Sequence, residues 1–347
     1  MKLAAQEDLM RIAVIGAGAI GGMLAVRLAL SGQTVTVVDQ GAHLDAIRAN
    51  GLKLLHHDGS EELARDVRAV ASCEEAGEQD LVFLALKAYV LEAVAPQMRP
   101  LFGDETPVVP LQNGLPWWYF QNFNGPHAGY RLQTADPNGT IERSVEGRRL
   151  IGCVVYPAGE IAAPGVIRHL EGDRFPVGEL DGSESARVKS VSATLVAAGL
   201  KAPILADIRS EIWLKLWGNM SFNPISALTH ATLVDICEEP ATRELAADMM
   251  REAQAVAAKL GVTFRVPLEK RIEGAARVGK HKTSTLQDVE AGREVEVDAL
   301  IGSVIELGTL TATPIPATRA VHALLKLLIR TMREQRARVV LQPPRYP

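Results

Sequence analysis

The chain has 347 residues, 47% of them hydrophobic and 22% charged, with a formal net charge of −4 at pH 7. This length exceeds what one hydrophobic core usually supports, so we expect two domains. The mildly acidic balance, without a long basic run, argues against a nucleic-acid partner and against an anionic membrane surface. A small anionic substrate is compatible with it, because one pocket can be positive inside an acidic protein.

Cysteine and histidine usage argues against a disulfide framework and against a metal site. Cys73, Cys153 and Cys237 are odd in number and widely spaced, which is typical of a reducing compartment. The eight histidines form no zinc-binding pattern. Residues 1–10 lack an apolar core of signal-peptide length, and no apolar run reaches the roughly 18 residues of a membrane span. We therefore expect a cytoplasmic protein without a metal or a membrane partner, beginning with a flexible lead over 1–10.

The first half of the chain alternates between apolar strand-like segments and helical patterns. Strands are predicted at 11–17, 34–39, 80–86 and 106–112, helices at 20–31 and near 43–50, and further strands closing the sheet between about 138 and 180. Such alternation with apolar strands predicts a parallel sheet covered by helices on both faces.

The second half of the chain has almost wholly helical periodicity. Apolar-periodic segments run over 185–199, 207–229, 240–260, 296–310 and 317–335. The predicted fold is therefore α/β, with a parallel-sheet domain over 11–182 followed by an all-helical domain over 183–340. The segment DGSES near 181–185 has the composition of a linker.

The segment AVIGAGAIGG carries the pattern Gly-x-Gly-x-x-Gly between a predicted strand and a predicted helix. Gly16 permits the tight turn, Gly18 lets a pyrophosphate approach the backbone, and Gly21 lets helix and strand pack closely. The helix N-terminus, opened by Ala19 and Ile20, faces the phosphate. These residues predict a dinucleotide-binding, Rossmann-type domain. The alternative is a strand–turn–helix whose glycines serve packing alone.

Asp39 ends the second predicted strand, about 20 residues beyond the glycine loop. A carboxylate at that place accepts hydrogen bonds from the adenosine ribose hydroxyls and repels a 2′-phosphate. The next residue is Gln40, not an arginine. Asp39 followed by Gln40 therefore favours binding of NAD(H) over NADP(H). The alternative is a solvated aspartate at a strand end.

Lys215, Asn219 and Asn223 recur every four residues along the apolar segment EIWLKLWGNMSFNP. On one helix they form a slowly winding polar stripe, and Pro224 is expected to kink or end that helix. A lysine in apolar surroundings holds its proton less tightly, so it can protonate a developing alkoxide. The alternative is a lysine that extends to solvent, with amides that cap carbonyls or bind core water.

A second polar segment follows at 282–302, where Gly292 separates two helical stretches. Glu296 lies one turn before Leu300, on an inward-looking face. A buried acid is rare without a partner, so Glu296 and Lys215 would suit one another. The alternative is a solvated glutamate at a helix N-terminus, where the helix dipole favours it.

These segments resemble the ketopantoate reductase (2-dehydropantoate 2-reductase) family over nearly the whole chain. The matching pieces are GAGAIGG, LALKAYVLE, PLQNGL, EIWLKLWGNMSFNPISALT and TSTLQDVEAGREVEVDALIG. The resemblance implies a Rossmann domain followed by a helical domain. It also implies reduction of ketopantoate with NADPH on the route to pantothenate.

The resemblance assigns roles to individual residues. Lys215 resembles the catalytic lysine at the substrate carbonyl, and Glu296 the acid that binds the substrate hydroxyl beside it. Asn219 and Asn223 resemble substrate-contacting amides, and Ser284 the serine that binds the carboxylate. By the same resemblance, Lys87 and Asn113 lie at the junction of cofactor and substrate.

The chain also departs from the family pattern. Asp39 and Gln40 stand where the family usually has an arginine for the 2′-phosphate, and two substrate-side asparagines are replaced near Leu233 and at His281. The aromatic segment PWWYF at 116–120 either narrows the substrate site or packs beneath the sheet.

The sequence thus predicts an NAD(P)-dependent oxidoreductase that reduces a 2-oxo acid, with ketopantoate as first candidate. The alternatives are a related NAD-dependent hydroxy-acid dehydrogenase and a non-catalytic dinucleotide-binding redox sensor. The expected partner is a small 2-oxo acid. A homodimer is the candidate oligomer, which the sequence leaves open.

Overall fold

The computed structural model describes residues 9–341 and divides the chain into two compact units. The first unit comprises the chain up to Gln112, Phe120–Tyr130 and Asn138–Ile208, and the second comprises Asn113–Tyr119, Arg131–Pro137 and the chain from Arg209 onward. Most of the predicted flexible lead, residues 1–8, lies outside the described residues. The predicted domain boundaries at 11, 182 and 340 stay a prediction.

The first unit contains strands and helices in alternation. Its strands are β1 Arg11–Ile15, β2 Thr34–Val38, β3 Leu52–Leu55, β4 Glu61–Ala64, β5 Arg68–Val70, β6 Leu81–Leu84, β7 Val108–Pro110, β8 Gly152–Cys153, β9 Ala158–Ala163, β10 Val166–Glu171 and β11 Val177–Gly178. Its helices are α1 Ala19–Leu30, α2 Gly41–Asn50, α3 Cys73–Ala76, α4 Ala88–Val94, α5 Thr140–Ser144 and α6 Ala186–Ala197, with 3-10 turns at Ala95–Gln97, Arg99–Leu101 and Gly147–Arg149.

Five strands form a parallel sheet in the order β5-β2-β1-β6-β7. The central strand β1 pairs with β2 on one side and β6 on the other, and its residues from Ile12 to Ile15 are buried. Strand order reverses at β1, and ligands of such sheets bind at the carboxyl ends of the strands at this point. The predicted α/β fold class is confirmed.

The strands expected between 138 and 180 close the parallel sheet only in part. Leu150, just before β8, forms a parallel bridge with Val108 of β7, whereas β9 and β10 lie elsewhere. Strands β9 and β10 join β3 and β4 in a separate four-stranded sheet of order β4-β3-β10-β9. This second sheet covers the outer side of α1: a Cβ on Gly22 would lie 2.7 Å from Cγ1 of Ile167. Helix α1 is therefore buried on both sides, which explains its apolar residues all round.

The second unit is helical, as predicted. Its helices are α7 Ile208–Asn219, α8 Phe222–Thr229, α9 Leu233–Glu238, α10 Pro240–Lys259, α11 Leu268–Arg277, α12 Ser284–Ala291, α13 Ser303–Leu310 and α14 Pro316–Gln335, and a π-helix spans Asp298–Gly302. Gly292, with φ +67°, ends α12 in the left-handed conformation, as its position between two helical stretches predicted.

The predicted helical segment over 207–229, in which Pro224 was expected to kink or end the helix, is two helices. Helix α7 ends at Asn219, and α8 begins three residues later at Phe222 with Pro224 in its first turn. Proline has no N–H for the carbonyl four residues earlier, but it suits the first turn of a new helix. The Ser221 hydroxyl donates to the Trp217 carbonyl at 2.8 Å and so satisfies part of the end of α7. The predicted polar stripe is thus divided, with Asn223 on the second helix.

The aromatic residues at 117–119 are packed into the second unit. Trp117, Trp118 and Tyr119 are at most 4% exposed. The Trp213 indole N–H donates to the Tyr119 hydroxyl at 2.8 Å. Of the two roles considered for this segment, the burial favours packing.

Candidate active site

Gly16, in the loop after β1, and Gly21, in the first turn of α1, occupy places where a side chain would collide with backbone. Gly16 has φ +91°, and a Cβ on it would lie 3.0 Å from the Ala85 carbonyl oxygen. A Cβ on Gly21 would lie 2.0 Å from the Gly16 carbonyl oxygen and 2.7 Å from the Ala85 Cβ. These contacts give Gly16 the turn and Gly21 the close helix–strand packing that the motif predicted.

Gly18 differs from both, because its missing side chain faces open space. Among the described residues, no heavy atom lies within 4 Å of a Cβ built on Gly18. Gly18 is the N-cap of α1, and Ala19 and Ile20 begin the helix; all three are half-buried. The first N–H groups of a helix have no partner within the helix and attract phosphate. Open space beside such N–H groups fits a dinucleotide pyrophosphate.

Asp39 is tied to the glycine loop by its side chain. One carboxylate oxygen accepts the Ala17 N–H at 2.6 Å, and the other accepts the Gln40 N–H at 2.7 Å. A carboxylate can accept about four hydrogen bonds, so capacity for ribose hydroxyls remains. The side chain is half-buried at the carboxyl end of β2, where the adenosine ribose would lie.

His43 supports the same loop, and the sequence reasoning overlooked it. Its Nδ1 accepts the Gly165 N–H at 3.1 Å, which requires Nδ1 to carry no proton. Its Nε2 therefore donates to the Ala17 carbonyl at 2.9 Å. The Asp39 carboxylate thus binds the Ala17 N–H and the His43 ring binds the Ala17 carbonyl, so both backbone polar groups of this loop residue have a side-chain partner. A histidine in the helix after the second strand is the only signal the sequence offered.

Lys215 of α7 meets Asn113, the residue that opens the turn after β7. The Lys215 ammonium donates to the Asn113 amide oxygen at 2.7 Å, and both side chains are half-buried. The two residues are 102 positions apart in sequence. The structure therefore brings together two residues that the sequence assigned to one site.

The Asn113 turn is held against the π-helix. Gly114 has φ +86°, and a Cβ on it would lie 2.2 Å from the Ala299 carbonyl oxygen. The Leu115 N–H donates to that same carbonyl at 3.2 Å. Glu296, half-buried, lies just before the π-helix, and its carbonyl accepts the Leu300 N–H at 3.1 Å. Such π-bulges often occur at functional sites.

Asn223 and Ser284 also meet. The Asn223 amide nitrogen is 3.5 Å from the Ser284 hydroxyl, at the limit of a hydrogen bond. Asn223 is 6% exposed in α8, whereas Ser284 is exposed as the first residue of α12. Thr283 caps that helix, because its hydroxyl accepts the Leu286 N–H at 3.2 Å. A hydroxyl at a helix N-terminus is a suitable place for a carboxylate.

Two further predicted site residues, Asn219 and Lys87, lie at helix ends. Asn219 is half-buried one turn after Lys215. Lys87 is exposed and precedes α4, at the carboxyl end of β6. The roles predicted for Asn219, Lys87 and Glu296, including the pairing of Glu296 with Lys215, stay predictions.

Several charged residues near the predicted site escaped the sequence reasoning. Glu211, one turn before Lys215 on α7, has a fully buried side chain, and Arg265 lies 2.6 Å from its carboxylate. Asp298 begins the π-helix; the nearby His322 ring, 4.0 Å away, and then Lys326, which donates to the carboxylate at 3.2 Å, lower the pKa of its carboxyl. The four-residue spacing from Glu211 to Lys215 is visible in the sequence, whereas their partners are not.

Cys73, Cys153 and Cys237 are free and buried. Over residues 9–341, no group of three or more His, Cys, Asp or Glu side chains is arranged to hold a metal ion. No helix in that range is both long and apolar enough to cross a membrane.

Comparison with known proteins identifies the family. The chain matches the family Ketopantoate reductase PanE/ApbA over residues 12–117 and its C-terminal counterpart, Ketopantoate reductase PanE/ApbA C terminal, over 207–329. It is 54% identical to the 2-dehydropantoate 2-reductase of Mesorhizobium japonicum, covering 92% of this chain and 98% of that protein.

Solved structures share the fold. A crystal structure of a candidate ketopantoate reductase from Ralstonia solanacearum is 40% identical, with a TM-score of 0.89, covering 93% of this chain and 99% of the other. A ternary structure of D-mandelate dehydrogenase with NADH and anilino(oxo)acetate has a TM-score of 0.79 at 21% identity, covering 93% of this chain and 100% of the other, and shares the fold alone. The resemblance stated from the sequence is confirmed, and the chain belongs to the ketopantoate reductase family.

Proposed function

We propose that this chain reduces 2-dehydropantoate to pantoate, with a nicotinamide dinucleotide as hydride donor. Membership of the family makes it an NAD(P)-dependent oxidoreductase that acts on CH–OH groups. The observation that carries the proposal is the 2.7 Å hydrogen bond between Lys215 and Asn113. It joins a cationic proton donor to the turn that follows β7 in the chain.

Lys215 is the residue assigned to the chemistry. When bound, the cofactor supplies a hydride to the keto carbon, and negative charge then develops on the carbonyl oxygen. An ammonium directed at that oxygen stabilises the charge and donates the proton that completes the alcohol. Asn113 accepts a hydrogen bond from the ammonium, which fixes its direction.

The substrate carboxylate is assigned to Ser284. Its hydroxyl and the first N–H groups of α12 offer neutral donors, and Asn223, within 3.5 Å, holds the serine in place. Asn219 follows Lys215 by one turn and is assigned to a further substrate oxygen. Glu296 is assigned to the substrate hydroxyl, which a carboxylate binds as acceptor.

The cofactor is assigned to the glycine loop of the first unit. Gly16, Gly18, Ala19, Ile20 and Gly21 would hold the pyrophosphate, with Lys87 and Asn113 near the nicotinamide. Of the two nicotinamide dinucleotides, we propose that NADH is preferred over NADPH. The Ala17 and Gln40 N–H groups fix both carboxylate oxygens of Asp39, so the negative charge stays at the ribose and repels a 2′-phosphate.

A second candidate is reduction or oxidation of a different 2-oxo or 2-hydroxy acid. The two replaced asparagines fall near Leu233 and at His281, and the Leu233 N–H donates to the His281 carbonyl at 3.1 Å. Both departures therefore fall at one place in the second unit. An apolar leucine there would favour a substrate with a more apolar side chain than 2-dehydropantoate.

The two candidates are separated by a substrate panel run with NADH and with NADPH. We expect the highest kcat/KM with 2-dehydropantoate and NADH. A higher kcat/KM for a 2-oxo acid with a bulkier apolar group would favour the second candidate. No turnover of any 2-oxo acid despite tight dinucleotide binding would overturn both. A cytoplasmic location and a homodimer stay predictions.

A further inference from the structure

The ring of His43 in α2 joins two parts of the first unit that are far apart in sequence. One part is the glycine loop, whose Ala17 carbonyl accepts a hydrogen bond from Nε2 at 2.9 Å. The other is the turn between β9 and β10, whose Gly165 N–H donates to Nδ1 at 3.1 Å. Because Nδ1 acts as an acceptor, the proton of the neutral ring is on Nε2, and the ring is a donor toward the loop.

The turn that contains Gly165 packs directly on α2. Gly165 has φ +74°, and a Cβ on it would lie 3.2 Å from the Cβ of Ala46, three residues after His43. The Gly165 carbonyl accepts the Lys53 N–H of β3 at 2.9 Å, so the turn is also tied to the second sheet. The His43 side chain is half-buried. The fold therefore sets the position from which this ring reaches the glycine loop.

The bond to the Ala17 carbonyl determines where the next N–H of the chain points. The described chain has no cis peptide bond, and in a trans peptide the C=O and the following N–H point in opposite directions. The Gly18 N–H, in the same peptide as the Ala17 carbonyl, therefore points away from the His43 ring. Asp39 holds the preceding peptide through the Ala17 N–H at 2.6 Å. Two consecutive peptides of the loop are thus fixed by side chains.

The Gly18 N–H is placed to receive a ligand. Gly18 is the N-cap of α1, and within residues 9–341 its N–H donates to no acceptor. A Cβ built on Gly18 would meet open space on the same residue. Backbone N–H groups at the start of a helix attract anions, and a phosphate oxygen is a strong acceptor for them.

We propose that His43 is a positioning residue for the dinucleotide: by holding the Ala17 carbonyl, it directs the Gly18 N–H at the pyrophosphate. This inference rests on the proposed function, in which the glycine loop binds the pyrophosphate. A hydrogen bond to a charged group contributes more than one between neutral groups, so misdirection of this single N–H weakens dinucleotide binding. The bond from Gly165 acts indirectly, because it selects the tautomer that donates to the loop.

A role in the fold alone makes a different prediction. If His43 served only to join α2, the glycine loop and the β9–β10 turn, the loss of either hydrogen bond would lower the melting temperature. The folded protein would then bind the dinucleotide equally well whichever bond was lost. Variants that keep one bond each therefore separate the two roles.

Two amide substitutions separate the bonds. The glutamine amide nitrogen is the same number of bonds from Cβ as Nε2 of histidine, so His43→Gln keeps the donor for Ala17 and loses the acceptor for Gly165. The asparagine amide oxygen corresponds in the same way to Nδ1, so His43→Asn keeps the acceptor and loses the donor. His43→Ala removes both groups. The matched control is His57→Ala, which removes an exposed histidine from the same unit.

The Kd for NADH is measured by calorimetric titration of each variant, and the melting temperature is measured beside it. We expect His43→Asn and His43→Ala to raise the Kd about tenfold or more, the size expected for loss of one hydrogen bond to a charged group. His43→Gln should stay within about threefold of the parent Kd, although it melts at a lower temperature. His57→Ala should match the parent protein in both quantities.

A parent Kd in folded His43→Asn would overturn the inference, and so would equal losses of affinity in the glutamine and asparagine variants. If His43→Ala does not fold, these two variants decide. NADH binding requires no turnover. A parent protein that binds NADH but reduces no 2-oxo acid would therefore contradict the proposed function, while the comparison of the His43 variants would still support or overturn this inference.

Discussion

Replacement of Gly18 by alanine should weaken dinucleotide binding without harming the fold. Gly18 has φ −62° and ψ −165°, an extended conformation that alanine adopts readily. No described heavy atom lies within 4 Å of the added Cβ. The substitution should therefore change the free energy of unfolding by at most about 1 kcal/mol, in the stabilising direction, because alanine reduces the entropy of the unfolded chain.

The binding effect follows from the same open space. If the pyrophosphate fills it, one added methyl group overpacks the complex and costs about 1–3 kcal/mol. This corresponds to a Kd for NADH raised roughly 5- to 150-fold. Calorimetric titration with NADH measures the Kd, and a thermal melt of the protein alone measures stability.

Two other glycines serve as controls. Gly274→Ala adds a methyl group in α11 of the second unit, where the nearest atom of another residue is 3.9 Å away; it should leave the Kd for NADH unchanged and stabilise the protein by at most about 1 kcal/mol. Gly21→Ala should destabilise the protein itself, since its Cβ would lie 2.0 Å from a carbonyl oxygen. A Gly18→Ala protein that binds NADH with the parent Kd would refute the placement of the pyrophosphate.

Three further results are expected. Replacing Asp39 by Ala and Gln40 by Arg should shift the ratio of kcat/KM values toward NADPH; a parent protein that already prefers NADPH would contradict the role given to Asp39. Ser284→Ala should raise KM for the 2-oxo acid and leave the Kd for NADH unchanged; lost NADH binding in a folded variant would show that Ser284 is misassigned. Burial raises the pKa of Cys73 to about 11, so its alkylation by iodoacetamide should be slow near pH 8 and rise roughly tenfold per pH unit toward pH 10. The raised pKa also means that its contribution to stability is complete below about pH 9 and is lost as the pH rises toward 11; alkylation at a constant rate across this range would contradict the burial.

The glycine loop and the central strands could be predicted because their signals are local. Gly16, Gly18 and Gly21 fall within one strand–turn–helix unit, and each has the environment its position implied. The second sheet could not be predicted in the same way. Strand β10 pairs with β3, joining Val166 to Lys53 across more than 100 residues, and no periodicity in either segment specifies such a partner.

The break between α7 and α8 shows that hydrophobic pattern alone does not locate the end of a helix. Apolar residues continue at Met220 and Phe222, so the pattern alone predicts one helix. The interruption arises from Pro224, which cannot donate a hydrogen bond, and from Ser221, whose side chain takes over a carbonyl of the preceding turn. Pro224 was expected to kink or end the helix that carries Lys215, but it lies in the first turn of the following helix, α8.

The candidate site was predicted from the family resemblance more than from physical pattern. Lys215 and Asn223 stood out as polar residues in an apolar helix, but their partners Asn113 and Ser284 lie 102 and 61 residues away.

The central claim is that Lys215 protonates the substrate oxygen as hydride arrives. The direct measurement is single-turnover oxidation of NADH by 2-dehydropantoate in Lys215→Ala, at saturating substrate, with Lys215→Arg beside it. We expect the rate to fall by about 10² to 10⁴, with normal folding and NADH affinity, because the lost interaction forms in the transition state. Arginine should not restore the rate, since a guanidinium does not give up its proton. A Lys215→Ala rate within about threefold of the parent protein would contradict the claim and leave Lys215 as a lysine that serves packing and solvation alone.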